Sequence, residues 1–444
     1  MDEQNLNKRE PAIPANDTPA RSRRPGRRPH PRQLFKEKYL PYLILGAAGL
    51  LCLSFMLGSV SLRRERNAAR ATQERIVQLL DAEALDLKAR AASMAAEYDY
   101  ENAMKLLAGY SGGLANRSDL LAQYNQYKQA LDDLVVWDNY AAIPNLSFRT
   151  LIVDLDKAAA DPDRGSRFLK RHLTTDEFTR ILEQLYENGY VLVSLYDIAV
   201  PTTAADGGVG VNRTSNRLPE GKKPIILTQE GANYFSNTRK CGGFADSLIL
   251  GENGELTCRM GETVGDFDLV PILNAFLAEH SDFSYEGARA TIALCGYEGL
   301  FGMELDRADE IRAVADKLRQ QGYDSACYTY DDMEYADFGV AGLKEGLDKW
   351  FSEITPVLGE TDILVYPTGG DIMGKEAYSG SKYEALRGYG FRYYVGTGSG
   401  ENWGMTTGSY ARQIRTIVTG ANLAENPEWY TGLFDASAVL SADR

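Results

Sequence analysis

Residues 222–235, KKPIILTQEGANYF, constrain the fold of this chain more than any other stretch. Ile225, Ile226, Leu227 and Thr228 stand between Pro224 and Gly231 without polar alternation. A short run of this kind reads as a strand buried on both faces, the mark of a parallel sheet. Parallel strands need long crossovers, usually helices. The flanking sequence supplies them. Thr174 and Glu177 form a capping box, with Leu173 and Phe178 as its hydrophobic staple, and start a helix that ends near Gly189. Further strands are expected at residues 190–195, 291–295, 324–330, 362–365 and 392–395. Helices are expected at 271–278, 308–321, 340–354 and 375–387. Alternating strands and helices imply a parallel sheet or barrel. Side chains just past the end of a barrel strand point into the active site, which marks Gln229, Glu230 and Gly231.

The chain has 444 residues, 44% hydrophobic and 25% charged, which leaves room for a globular domain with attachments. Residues 1–38 are rich in Pro, Arg, Asn and Gln and read as a disordered basic arm. Residues 39–62 follow, 24 positions without a charge, more than the roughly 20 a membrane-spanning helix needs. Ten Lys/Arg precede the run, against Arg63, Arg64, Arg66 and Arg70 just after it. This asymmetry predicts a single-pass protein of the cell membrane with a cytoplasmic N-terminus and an extracytoplasmic C-terminal domain. A cleaved signal peptide fits less well, since no small-x-small site follows.

The formal charge is −14 overall and +5 in residues 1–38, hence −19 in residues 63–444. So acidic a domain is a poor partner for nucleic acid or anionic wall polymers. A neutral or partly cationic glycan is the easier ligand.

Residues 63–140 read as a helical stalk or hairpin. Ile76, Leu80, Ala84, Leu87, Ala91, Met94 and Tyr98 recur at helical spacing. Residues 201–221 read as a polar surface loop and residues 244–260 as a hairpin insert. Cys241, Cys258, Cys295 and Cys327 would lie outside the membrane, where disulfides can form. None belongs to a C-x-x-C pair.

The central stretch resembles the first motif of the polysaccharide deacetylases, the NodB-homology carbohydrate esterases of family 4. That motif is a strand followed by T-F-D-D-G or a variant. Other segments are similar too: IPNLSFRTLIVDL to the family's opening strand, and the capped helix with YVLVSL to its helix–strand unit. The resemblance implies a distorted (β/α) barrel of NodB-homology type over residues 143–444, preceded by a transmembrane helix and a helical stalk. It also implies a hydrolase of carbon–nitrogen, non-peptide bonds that uses a divalent metal such as zinc.

On this resemblance Glu230 occupies the position of the catalytic base. The three metal positions fall on Gly231, which has no side chain, on Tyr328, a neutral phenol, and on Asp332. Arg149 stands at a usual His. Pro367 and Gly369 preserve a loop whose orienting Arg is replaced by Val365. Gln229, Tyr330, Asp331, Tyr366, Asp371 and Trp403 are further expected pocket residues, with Tyr393 a candidate for a sugar-stacking floor.

Only three histidines exist. His30 lies in the basic arm, and His172 and His280 read as surface residues, so no two-His metal site is expected. The implied protein is a deacetylase-like envelope protein without a metal cofactor. It is catalytically impaired and binds a cell-envelope glycan or an envelope protein. Two alternatives stand beside it. One is an active deacetylase of N-acetylated glycans with a carboxylate site rebuilt from Glu230, Asp331, Asp332 and Asp371. The other is a structural envelope protein.

Overall fold

The computed structural model describes residues 39–442 and 444. The expected basic arm lies outside the described residues. The chain divides into two units between Leu79 and Leu80. In the first, the helix Leu40–Ala96 begins, a helix long and apolar enough to cross a membrane. Leu50, Phe55 and Leu57 are exposed on it. Apolar residues on every side of a helix suit lipid better than water.

In the second unit, Ala84, Leu87 and Ala91 bury against the helices Tyr100–Ala108 and Ser118–Asp132. The chain then meets the sheet domain. The Tyr98 hydroxyl donates to the Asp282 carbonyl at 2.8 Å, and Arg289 pairs with Glu97 at 3.4 Å.

Seven parallel strands form that domain: β1 (Asn145–Phe148), β2 (Lys223–Glu230), β3 (Thr291–Leu294), β4 (Asp324–Cys327), β5 (Ile363–Val365), β6 (Tyr393–Gly398) and β7 (Ala411–Ile417). Each pairs with the next in sequence, and β7 pairs with β1, so the sheet closes. The fold is the expected distorted (β/α) barrel. Its distortion is local: β4 and β5 meet only at Cys327 and Leu364, whereas β6 and β7 are paired from Tyr393–Ala411 to Gly398–Thr416.

Five segments differ from expectation. The strand expected at residues 324–330 ends at Cys327. The strand at residue 190 stops at Leu192, because Ser194 caps a short helix, Leu195–Ile198. Residues 201–221 are not a simple loop. Ala199–Thr203 and Val209–Arg213 form a hairpin, and Asn216–Leu218 pairs with Val135–Trp137. The latter partner is far away in sequence, which local patterning cannot reveal. The helix expected from residue 375 starts only at Gly380. β7 carries Arg412, Gln413, Arg415 and Thr416, so it lacks the apolar run of a buried strand. Closure of the barrel gives those polar groups their partners. The cysteines are free thiols.

Side chains of β2 alternate between two cores. Ile226 packs inside the barrel with Ala293, Ala326, Val365 and Val395. Ile225 and Leu227 face the outer layer, with Phe178, Leu182 and Leu273 of the surrounding helices. Gln229 follows the outward phase. Its amide donates to Asp268 Oδ2 at 2.7 Å, and the Leu151 N–H donates to Asp268 Oδ1 at 3.0 Å. One carboxylate therefore joins β2, the segment after β1 and the start of the helix Leu269–Glu279.

Burial, the largest influence on Asp268, raises its carboxyl to about 6 against the hydrogen bonds from Tyr234, the Leu269 N–H, Gln229 and the Leu151 N–H. An unfolded aspartate titrates near pH 4, so folding takes up a proton between about pH 4 and 6, and stability from this group falls as pH rises through that window. Relative to Asp268→Asn, the native chain should lose about 1–2 kcal/mol between pH 4 and 6. Denaturant titrations at both pH values test this, and a pH-independent difference would contradict it.

Candidate functional site

Glu230 ends β2 on the inward phase and is 2% exposed. Gly231 follows at φ 63° and turns the chain away from the strand, a conformation that favours glycine. Both carboxylate oxygens are occupied. Oε1 accepts from Ser147 Oγ at 2.5 Å and from Arg415 Nε at 2.6 Å. Oε2 accepts from the Tyr328 hydroxyl at 3.0 Å and lies 3.9 Å from Arg149 Nη2. Burial works to raise the Glu230 carboxyl, but the charges of Arg415 and Arg149 and the hydrogen bonds from Arg415 and Ser147 hold it well below the usual range.

Arg415 is fully buried. Its remaining donors reach the carbonyls of Val395, Gly396 and Tyr366 at 3.1, 3.0 and 2.9 Å. A guanidinium from β7 thus lies on Glu230, although position 365 is a valine.

Around Glu230 lies a cavity of about 150 Å³ at the C-terminal ends of the strands. Gly231, Tyr328 and Asp332 line it, together with Arg149, Thr150, Phe235, Thr368 and the helix Gly165–Arg171. The sequence-derived positions Glu230, Gly231, Tyr328 and Asp332 therefore share one space.

The other expected pocket residues do not line it. Gln229 faces Asp268. Tyr366 and Tyr393 are fully buried, so neither offers a face to a sugar. Asp371 pairs with Arg412 at 2.7 Å, and Trp403 stacks on that same guanidinium at 5.1 Å. The Tyr330 hydroxyl is bonded to Glu353, and Asp331 is exposed. Pro367 is buried, and Gly369, at φ 100°, packs against Thr397. Of the four carboxylates proposed to rebuild a metal site, Glu230 and Asp332 line the cavity and Asp331 and Asp371 do not.

His172 is half-buried and lines the cavity. Its Nδ1 lies 2.8 Å from the Thr150 carbonyl, and burial, with Arg149, Arg171 and Arg444 nearby, lowers it to about 3 despite that hydrogen bond. His280 packs elsewhere, against Tyr186 and Phe276.

The donor set at the family's metal positions does not fit a zinc ion. Gly231 has no donor atom, and the Tyr328 phenol spends its proton on Glu230 while burial and that carboxylate push it well above 10. Two guanidinium groups flank the same carboxylate. Among the described residues no group of three or more His, Cys, Asp or Glu could hold a metal.

No family model matches the sequence, and no curated protein does. Solved structures do. A deacetylase of Streptococcus pyogenes, PplD, solved with acetate, is similar at 15% identity and TM-score 0.34, over 66% of this chain and 98% of its own. A Bacillus anthracis protein described as a polysaccharide deacetylase, BA0330, is similar at 11% identity and TM-score 0.36, over 69% of this chain and 70% of its own.

Ser147 and Arg415 escaped sequence reasoning because each acts through a strand neighbour distant in the chain. Arg164, Arg167 and Arg171 had a legible signal: spacings of three and four place them on one helix face.

Removing Arg415 would strand a buried carboxylate. Arg415→Met should cost about 3–5 kcal/mol in denaturant unfolding. The double variant Arg415→Met/Glu230→Gln should recover part of that loss. Additive losses would show that the pair is not coupled.

Proposed function

We propose that this chain is a membrane-anchored, extracytoplasmic polysaccharide deacetylase-like protein whose barrel mouth binds glycan and does not hydrolyse amides. The observation that carries this reading is the state of Glu230. A general base needs a pKa near the working pH and access to the proton it removes. Glu230 is 2% exposed, is bonded to Ser147, Arg415 and Tyr328, and is held far below neutrality. Metal-assisted hydrolysis also needs an ion to lower the pKa of bound water from 15.7 to about 7, and the donors at the family's metal positions do not suit one. The cavity remains, at the barrel end where ligands bind.

Metal analysis of the purified full chain, with acetate release from chitin oligomers and peptidoglycan followed in the same sample, tests the loss of catalysis. The expected result is substoichiometric zinc and no zinc-dependent acetate release. Stoichiometric metal together with acetate release would favour the active deacetylase instead.

The anchor rests on the uncharged run at residues 39–62 and the apolar helix it forms. The orientation rests on the excess of Lys/Arg before that run. Protease added to intact cells should remove the barrel domain. Protection until lysis would reverse the orientation.

A further inference from the structure

The cavity beside Glu230 has a charge opposite to that of the domain around it. Arg149, Arg164, Arg167 and Arg171 line it, against the carboxylates of Glu230 and Asp332. Glu230 is already paired with the buried Arg415 behind it. The guanidinium groups of Arg164, Arg167 and Arg171 make no hydrogen bond or ion pair with any described residue, whereas most arginines of this domain do, Arg289, Arg387, Arg392 and Arg412 among them.

These guanidinium groups are brought together by construction. Arg164, Arg167 and Arg171 share one face of the helix Gly165–Arg171 and its preceding residue, and that face is held in place by Phe168. Phe168 meets Phe244 at 5.2 Å and His172 at 5.9 Å, edge to face. Arg149 approaches from the end of β1. Arg171 feels the crowding: burial first, then the charges of Arg149 and Arg167, lower its guanidinium to about 10. Like charges gathered without partners at the mouth of a cavity are stabilised by an anion. Guanidinium forks match the planar, bidentate geometry of carboxylate and phosphate oxygens.

We propose that this cavity is an oxyanion site that takes a single phosphate or carboxylate group carried by a glycan. The inference rests on the glycan-binding reading above and reverses the expectation of a neutral or cationic ligand. The size of the site sets the ligand: about 150 Å³ is well below the roughly 300–1,000 Å³ of sites for drug-sized molecules. It accommodates one head group and part of a ring, with Phe235 offering an apolar wall. The surrounding charge of −19 in residues 63–444 repels a continuous polyanion such as nucleic acid. An isolated acidic substituent reaches the arginines without bringing further charges against that surface.

The test is calorimetric titration of the full chain in detergent with inorganic phosphate, glucuronate, N-acetylglucosamine 6-phosphate and a neutral N-acetylglucosamine oligomer. Arg164→Gln/Arg167→Gln is the comparison, since both residues are exposed and without partners in the fold. Expected is saturable binding of phosphate or glucuronate, weakened at least tenfold in the double variant and weakened by added salt. Which of the two anions binds more tightly identifies the head group. Failure of both anions to saturate, or equal binding by the double variant, would overturn the site. If the neutral oligomer binds while the anions do not, the oxyanion site falls and the glycan reading stands. If inorganic phosphate binds through the arginines but glucuronate, N-acetylglucosamine 6-phosphate and the oligomer do not, the site stands and the glycan reading falls.

Discussion

The buried contact between Glu230 and Arg415 is the interaction on which the rest of the barrel mouth depends. A carboxylate in a protein interior is costly unless paired and hydrogen-bonded. Here the pair is completed by Ser147 from β1 and Tyr328 after β4, while Arg415 also binds carbonyls of Val395, Gly396 and Tyr366. Six strands of the seven, all but β3, therefore send a group to one cluster, directly or through the residue that follows the strand. Replacing such a cluster with apolar side chains is often neutral for stability. What it supplies is register: the polar strand β7 has one place in the barrel where its guanidinium is satisfied.

The same contact alters the chemistry open to the site. A carboxylate shared among a guanidinium, a hydroxyl and a phenol has three of its four acceptor lone pairs taken, and Arg149 lies 3.9 Å from the oxygen that keeps the fourth. The loop after β2 reinforces this, because Gly231 occupies a left-handed conformation and contributes no ligand atom. Charge at this mouth is thus cationic where metal hydrolysis would need an anionic cup of ligands. A domain of net charge −19 can hold a positive cavity, because screening makes the field inside a small recess a matter of its nearest residues rather than of the distant surface.

Much of the architecture was legible in residues read singly or as short periods. The run at residues 225–228 is a strand buried on both faces, the Thr174 capping box starts its helix, and the strand–helix alternation implies a parallel sheet or barrel. These features are encoded locally, by propensity, capping and period. Glu230 and Asp332 could be placed just past strand ends for the same reason, whereas the site positions of Gly231 and Tyr328 came from the resemblance.

What the sequence by itself determined, then, is the alternation of buried strands with helices, the apolar N-terminal run and the residue types at positions 231 and 328. Tertiary structure alone decided which groups meet. β7 lacks the apolar run of a buried strand, and closure of the barrel sets Arg415 beside Glu230, a residue 185 positions earlier. Gln229 and Glu230 are adjacent in sequence, yet the pleat sends one to Asp268 in the outer layer and the other to the cavity. Tyr366, Tyr393 and Asp371 sit near strand ends but are claimed by the core or by Arg412. Local pattern specifies the phase of each strand, and only the closed barrel specifies what stands opposite.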